Sequence, residues 1–198
     1  MEWDGLFYTT HRDVYEPSDD TFLLARVVAA EVRPGERFLE VGCGTGLVSL
    51  AAARAGAVVT CADVNPVAVE TARHNARENR LTVAAVEADL LAGLPGPFDA
   101  VAFNPPYLPT ADDEHVEGPL DWAFDGGPDG NRVVLRFADQ LAGLRPPPRV
   151  VWVVHSSLSD PAPLEERMRA LGYAVEAAAQ ERFPFERLRV VRFVRPGA

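Results

Sequence analysis

Apolar positions along the chain occur in short runs that alternate with longer, more widely spaced patterns. Arg37–Val41 and Val150–Val154 are nearly continuous apolar runs, whereas Leu47–Ala55 is longer and is closed by Gly56. Short continuous runs predict buried strands, and the longer segments predict helices. The resulting strand–helix alternation is typical of a mostly parallel sheet with helices on both faces.

The predicted elements extend this alternation over most of the chain. Strands are predicted at 37–41, 57–63, 81–87, 98–103, 150–154, 173–181 and 187–194. Helices are predicted at 18–33, with Ser18 as the cap, and at 47–55, 65–79, 131–142 and 163–171, with Asn65 capping the third. The last two strands flank a tight connection at 183–185 and add one antiparallel member. We therefore predict an α/β fold with a doubly wound, mostly parallel, seven-stranded sheet.

Length and composition predict one domain in a reducing compartment. A chain of 198 residues suits a single domain, with 1–34 as an N-terminal extension and helix and 35–198 as the core. No apolar run approaches the ~18 residues of a membrane span, and residues 1–5 do not resemble a signal peptide. Two cysteines form no disulfide framework, and the histidines have no ligand-like spacing, so we expect a cytoplasmic protein with no metal.

The charge balance bears on the partner. The formal net charge is -10, and all 19 basic residues are arginine. Proteins that hold nucleic acid through many phosphate contacts carry a basic face. The composition therefore argues against nucleic acid as the direct substrate.

A glycine-rich turn follows the first predicted strand of the sheet. Gly42, Gly44 and Gly46 follow Glu40 in the run EVGCGTG. Glycines allow the backbone to approach a ligand closely and leave amide groups facing it at a helix N-terminus. A pyrophosphate-binding pattern would need glycine at position 47, which is Leu47. The spacing therefore favours a ligand without a pyrophosphate.

Acidic residues end the next two predicted strands. Asp63 lies 21 residues after Gly42 and can accept hydrogen bonds from two ribose hydroxyls. Asp89 follows the third strand. Since the carboxyl ends of parallel strands meet at one edge of a sheet, these acids and Glu40 are expected in one nucleoside site.

The glycine turn and a second motif, at Asn104–Tyr107, resemble known methyltransferase signatures. The glycine turn resembles motif I of class I S-adenosylmethionine-dependent methyltransferases, which have a Rossmann-like fold. The run Asn104–Tyr107 (NPPY), after the fourth strand, resembles the signature of enzymes that methylate planar nitrogens on adenine, cytosine, guanine or a glutamine amide. The resemblance implies S-adenosyl-L-methionine as cofactor, S-adenosyl-L-homocysteine as product, and a contact between Asp89 and the adenine amino group.

The NPPY residues suit an acceptor nitrogen whose lone pair is delocalised. The Asn104 side-chain oxygen and the Pro105 carbonyl can accept hydrogen bonds from the two N–H groups of such a nitrogen. The prolines Pro105 and Pro106 fix the backbone so that both acceptors are aimed in advance, and Tyr107 offers a flat surface. Positioning and oriented dipoles then supply the catalysis, with no strong base.

Two further segments resemble the short branch of the HemK/PrmC family, which lacks the helical N-terminal domain. They are Asp13–Leu24 and Trp122–Gly130. That branch methylates the glutamine of the Gly-Gly-Gln loop in class I release factors, with a small zinc-binding activator in eukaryotes. The resemblance implies the following roles: Tyr15, Glu16 and Pro17 line the entrance, Thr21 holds the methionine end of the cofactor, and Asn104, Pro105, Pro106 and Tyr107 hold the amide.

Two other functions stay open at this point. One is an amino-methyltransferase acting on a nucleic-acid base or on a small amide or amine. The other is a non-catalytic subunit that pairs with an active enzyme. A long acidic loop around residues 112–114 is a candidate substrate lid.

Overall fold

The computed structural model describes residues 1–94, 96–110, 118 and 120–197. Within these residues the strands are β1 (Glu2–Trp3), β2 (Leu6–Phe7), β3 (Arg37–Val41), β4 (Val58–Asp63), β5 (Val83–Glu87), β6 (Ala100–Phe103), β7 (Val150–Ser156), β8 (Ala174–Arg182) and β9 (Arg187–Val194). The α-helices are α1 (Asp19–Glu31), α2 (Leu47–Arg54), α3 (Pro66–Glu78), α4 (Arg132–Leu141) and α5 (Ala162–Ala170).

The main sheet has seven strands in the order β5-β4-β3-β6-β7-β9-β8. Neighbouring strands are parallel except where β9 pairs with β7 and β8. This arrangement confirms the predicted fold class and its single antiparallel member. The strand order reverses between β3 and β6, so a crevice opens at the carboxyl ends of these two strands, where doubly wound sheets bind ligands.

Strand β7 shows how the sequence builds two cores. All of its residues are buried. Trp152 belongs to the cluster that contains α1 and α2, whereas Val151 and Val153 belong to the cluster that contains α4 and α5. Because successive strand side chains point to opposite faces, a continuous apolar strand requires helices on both sides of the sheet.

The N-terminal extension begins with a two-stranded hairpin, for which the sequence analysis predicted no strand. β1 and β2 form a hairpin across Asp4 and Gly5, which have φ angles of 48° and 75°. Asp-Gly is a strong signal for such a tight turn. Asn75 of α3 and Asn79, the C-cap of that helix, anchor β2 and the segment after it, because their side-chain oxygens accept from the amides of Thr9 and Phe7, each at 2.9 Å.

The helix caps agree with prediction at one of two positions. The Asn65 side chain accepts from the amide of Val67 at 2.9 Å and caps α3 as predicted. Ser18 occupies the N-cap position of α1, but its side chain makes no capping bond. The prediction of a serine side-chain cap is wrong, since the amide of Thr21 donates instead to Asp20 at 2.6 Å.

Candidate functional site

A cavity of about 610 Å³ lies at the carboxyl ends of β3, β4 and β6. This volume is within the range of about 300–1,000 Å³ typical of small-molecule sites. The cavity brings together most of the predicted site residues: Tyr15, Pro17, Thr21, Glu40, Gly42, Gly44, Asp63, Asp89, Asn104, Pro105, Pro106 and Tyr107. Glu16 and Gly46 are outside its lining.

The glycine turn is open toward this cavity because its glycines adopt left-handed conformations. Gly42 and Gly44 have φ angles of +63° and +52°. Gly46 has a packing role instead, since an added Cβ would lie 2.8 Å from the Cβ of Ala72 on α3. Glycine there allows α2 and α3 to approach each other. An added Cβ at Gly42 would lie 3.2 Å from the Phe103 ring, whereas one at Gly44 would have no neighbour nearer than 3.9 Å.

Asp63 links the glycine turn to the end of β4. Its two oxygens accept from the amides of Gly44 and Asn65, each at 2.9 Å. Burial raises the pKa of its carboxyl group, although these amides act in the opposite direction. Each carboxylate oxygen keeps a further acceptor site, as binding to ribose hydroxyls requires.

We expect Asp63→Ala to raise the dissociation constant for S-adenosylmethionine at least tenfold, or about 1.4 kcal/mol. The substitution removes the proposed ribose acceptor and releases the Gly44 amide. Calorimetric titration of the folded variant measures the effect. Glu87, the register partner of Asp63 on β5, is exposed and is a suitable matched control. Equal affinities for Asp63→Ala and Glu87→Ala would contradict the assignment.

Glu40 is 4% exposed at the base of the cavity. Its Oε2 accepts from the amide of Ser49 at 2.8 Å and from the Ser49 hydroxyl at 2.5 Å. Burial raises the pKa of Glu40 to about 8, even though both Ser49 bonds lower it. The first turn of α2 is therefore attached to a carboxyl group that holds its proton up to unusually high pH.

This shift predicts a pH-dependent contribution to stability. The folded chain keeps the Glu40 proton up to about pH 8, whereas an unfolded glutamate loses it near pH ~4.3. The folded state thus binds more protons between these values, and the free energy of unfolding falls as pH rises. Glu40→Gln, which cannot ionise, should gain stability relative to wild type between about pH 5 and pH 8. Thermal unfolding without cofactor tests this, and a difference that stays constant with pH would contradict it.

Asp89 lies at the outer end of the cavity. It is exposed and accepts from Nη2 of Arg136 on α4 at 2.5 Å. An adenine amino group that reached Asp89 would share this carboxylate with the guanidinium. Sequence reasoning missed Arg136, because the contact joins positions 47 residues apart.

The end of the cavity at the NPPY segment, where the methyl acceptor is predicted to bind, is called the acceptor end. It contains a buried polar atom without a hydrogen-bond partner among the described residues. The side-chain oxygen of Asn104 makes no hydrogen bond within the described structure. Native proteins seldom leave a buried acceptor unpaired, and such an atom indicates a ligand or a catalytic role. Pro105 and Pro106 are buried beside it, and Tyr107 is half-buried.

A glycine-rich loop supports the NPPY segment from behind. An added Cβ at Gly126 would lie 2.9 Å from the Pro106 carbonyl oxygen, and one at Gly130 would lie 2.4 Å from the Tyr107 carbonyl oxygen. The Gly126 amide also donates to the Leu108 carbonyl at 3.0 Å. The loop therefore packs backbone to backbone against the predicted acceptor site.

The N-terminal segment completes the entrance. The ring of Tyr15 meets that of Phe124 edge-on, with 5.4 Å between centroids. Trp122 and Phe124 also line the cavity and are largely exposed. Both aromatic residues lie within the glycine-rich stretch identified from sequence, although no role followed from their positions. The predicted lid at 112–114 lies outside the described residues.

Helix length and the clustering of polar side chains bear on membrane and metal binding. Among the described residues, no helix is long and apolar enough to cross a bilayer. No cluster of three or more histidine, cysteine or acidic side chains suited to a metal ion occurs in the same residues. Cys43 and Cys61 are buried as free thiols.

Comparisons with known proteins identify the family of this chain. The methyltransferase small domain family matches residues 15–117. A protein named as an N5-glutamine methyltransferase of Methanocaldococcus jannaschii is 38% identical over 96% of each chain. A release factor glutamine methyltransferase of Deinococcus radiodurans is 35% identical over 92% of this chain and 70% of its own length.

A solved structure shares the whole architecture. A chain of the Mtq2-Trm112 complex of E. cuniculi, which is responsible for the methylation of the eRF1 translation termination factor, aligns with a TM-score of 0.74. The alignment has 25% identity and covers 92% of this chain and 99% of that one. Other structures of this fold contain S-adenosylmethionine or its demethylated product. The chain belongs to the HemK family and is an S-adenosylmethionine-dependent methyltransferase.

Proposed function

We propose that this chain methylates the side-chain amide nitrogen of a glutamine in a protein, most specifically the Gly-Gly-Gln loop of a class I release factor. The observation that carries the proposal is the buried, unpartnered oxygen of Asn104 at the acceptor end of the cavity. This oxygen is a hydrogen-bond acceptor, so it matches a substrate group whose N–H donates a hydrogen bond. A primary amide has two N–H groups on one planar nitrogen.

The chain's contribution to catalysis is positioning. Asn104 Oδ1 and the Pro105 carbonyl accept hydrogen bonds from the two N–H groups of the substrate amide. These bonds orient the face of the nitrogen toward the glycine turn. The cofactor supplies an electrophilic methyl group when bound. Buried prolines keep both acceptors fixed, so little reorganisation accompanies the reaction.

The cavity suits the cofactor as well as the acceptor. The glycine turn presents amides and open space at one end, with Asp63 at the end of the neighbouring strand. Thr21 lines the same cavity from the N-terminal segment and would hold the methionine end. Glu40 lies at the base of the cavity, between these groups.

We also propose that a small partner protein assists the chain, as Trm112 accompanies Mtq2. Strand β5 supports this, because it ends the described sheet and pairs only with β4, although Arg73 Nη2 donates to its Ala85 carbonyl at 2.5 Å. An unpaired edge strand offers backbone groups to another chain. A small zinc-binding activator is the partner class that the family resemblance implies.

Mass spectrometry of methyl transfer tests the substrate assignment. The folded chain is incubated with S-adenosylmethionine and a peptide that carries the Gly-Gly-Gln loop of the class I release factor from the same source. We expect one methyl group on the glutamine. A peptide with asparagine in its place is the matched control, since it keeps the amide but shortens the reach.

The assay is run with and without a small zinc-binding partner from the same source. Methylation that appears only with the partner supports the partner proposal. Unmethylated peptide in both arms, with cofactor binding confirmed by calorimetry, would overturn the glutamine assignment. The same assay with nucleosides and small amides then identifies another acceptor.

A further inference from the structure

A buried carboxylate lies where the N-terminal segment meets the acceptor end of the site. Asp20, in the first turn of α1, is 4% exposed. It lines the main cavity and also a second cavity of about 260 Å³ beside it. Tyr15, Tyr107, Ser18 and Glu186 line both cavities too, so Asp20 lies among the residues that the two cavities share.

Hydroxyl and amide donors satisfy this carboxylate. The Tyr15 hydroxyl donates to its two oxygens at 3.1 and 3.2 Å, and the Tyr107 hydroxyl donates to Oδ2 at 3.2 Å. The amide and hydroxyl of Thr21 donate to Oδ1 at 2.6 and 3.2 Å. Within the described residues, no arginine or histidine pairs with Asp20.

These bonds connect three parts of the site through one residue. Thr21 is at the proposed methionine end of the cofactor, Tyr15 is at the entrance, and Tyr107 closes the NPPY segment. Burial raises the pKa of both tyrosines, and the Asp20 charge raises it further. Both hydroxyls therefore remain protonated and donate to the shared carboxylate.

We propose that Asp20 is a positioning residue that holds the Tyr107 ring in place against the acceptor. Buried hydroxyls need an acceptor, and the Asp20 carboxylate accepts from the hydroxyls of both Tyr15 and Tyr107. Without it, Tyr107 loses the bond that fixes its ring, and the flat surface under the substrate amide becomes mobile. The inference deepens the proposed function and rests on it for the identity of the substrate.

A double-mutant cycle tests the coupling between the two residues. We expect Asp20→Ala to lower kcat at least tenfold in the wild-type background. In a Tyr107→Phe background the same change should lower kcat by a factor at least threefold smaller, because the bond to Tyr107 is already absent and only the bonds to Tyr15 and Thr21 are lost. Asp20→Asn keeps one acceptor oxygen and should retain more activity than Asp20→Ala.

Asp19→Ala is the matched control, because Asp19 is an exposed acid in the same helical turn. It should leave kcat within twofold of wild type. Calorimetry of each variant reports cofactor affinity, which a damaged glycine turn would lower. If the kcat costs of Asp20→Ala and Tyr107→Phe simply multiply, the inference is overturned.

Thermal unfolding of the same variants gives a readout that does not depend on turnover. If Asp20 holds Tyr107, Asp20→Ala and Tyr107→Phe should be non-additive in unfolding temperature, and additive values would overturn the inference. If Asp20→Ala does not fold, Tyr107→Phe should lower the unfolding temperature more in the wild-type chain than in Asp20→Asn, where the charged acceptor is already lost, and equal decreases would overturn the inference. A wild-type chain that leaves the glutamine peptide unmethylated overturns the proposed function. The unfolding cycle still decides separately whether Asp20 holds Tyr107.

Discussion

Asn104→Ala should lower kcat for methyl transfer by at least about 10²–10³-fold while the cofactor dissociation constant changes less than about tenfold. The variant removes the side-chain oxygen that lies buried and unpaired at the acceptor end. Without this oxygen, one N–H group of the substrate amide loses its hydrogen-bond partner, and the amide nitrogen is free to turn away from the methyl group. Cofactor contacts through the glycine turn and Asp63 remain intact.

Single-turnover kinetics with saturating cofactor measure the chemical step, and calorimetry measures cofactor binding. Asn131 provides a matched control, because it is a buried asparagine at the start of α4, outside the cavity lining. Asn131→Ala tests whether loss of any buried amide near the loop gives the same defect. Near-normal turnover in folded Asn104→Ala would show that another group holds the acceptor.

Gly130→Ala should both destabilise the chain and inactivate it. Its Cβ would lie 2.4 Å from the Tyr107 carbonyl oxygen and 2.9 Å from the Ser159 Cβ. The left-handed φ of +74° adds backbone strain. Strain of about 1–2 kcal/mol and overpacking of about 1–3 kcal/mol together predict a loss of about 2–5 kcal/mol in the free energy of unfolding.

Gly93→Ala separates the two contributions. Gly93 has a φ of +72°, but an added Cβ there meets nothing within 4 Å. This control carries the backbone cost without the contact with Tyr107.

We expect kcat to fall about 10²-fold or more in Gly130→Ala, since small displacements of positioning groups have effects of this size. Denaturant unfolding and steady-state kinetics test both effects, and matching values for the two variants would contradict the packing argument.

The parallel sheet was predictable because its signals are local. The parallel strand Arg37–Val41 has the predicted bounds, and so has the antiparallel strand Arg187–Val194, since turn residues border both. The cap at Asn65 was predictable for the same reason, as its partner is two residues away. Ser18 shows the limit of such rules, because the neighbouring Asp20 takes the amide bond instead.

The site was predictable where it follows strand ends, and less so where distant segments meet. Glu40, Asp63 and Asn104 all follow or end sheet strands, and the topology brings them to one edge. Asp20 accepts a hydrogen bond from Tyr107 across 87 positions, a contact that no local sequence pattern indicates. Gly130 likewise owes its constraint to a carbonyl 23 residues earlier, which no local pattern reports.

The anchoring of the N-terminal segment by α3 has a consequence for how the chain folds. Bonds from Thr9 to Asn75 and from Phe7 to Asn79 span 66 and 72 positions. Such non-local contacts form only after the intervening chain has been ordered, and they slow folding. This segment leads directly into residues that line the cavity, and a cofactor bound there binds the native state but not the unfolded chain. A free cofactor concentration of ten or more times the dissociation constant would therefore raise the free energy of unfolding by about 1.4 kcal/mol or more.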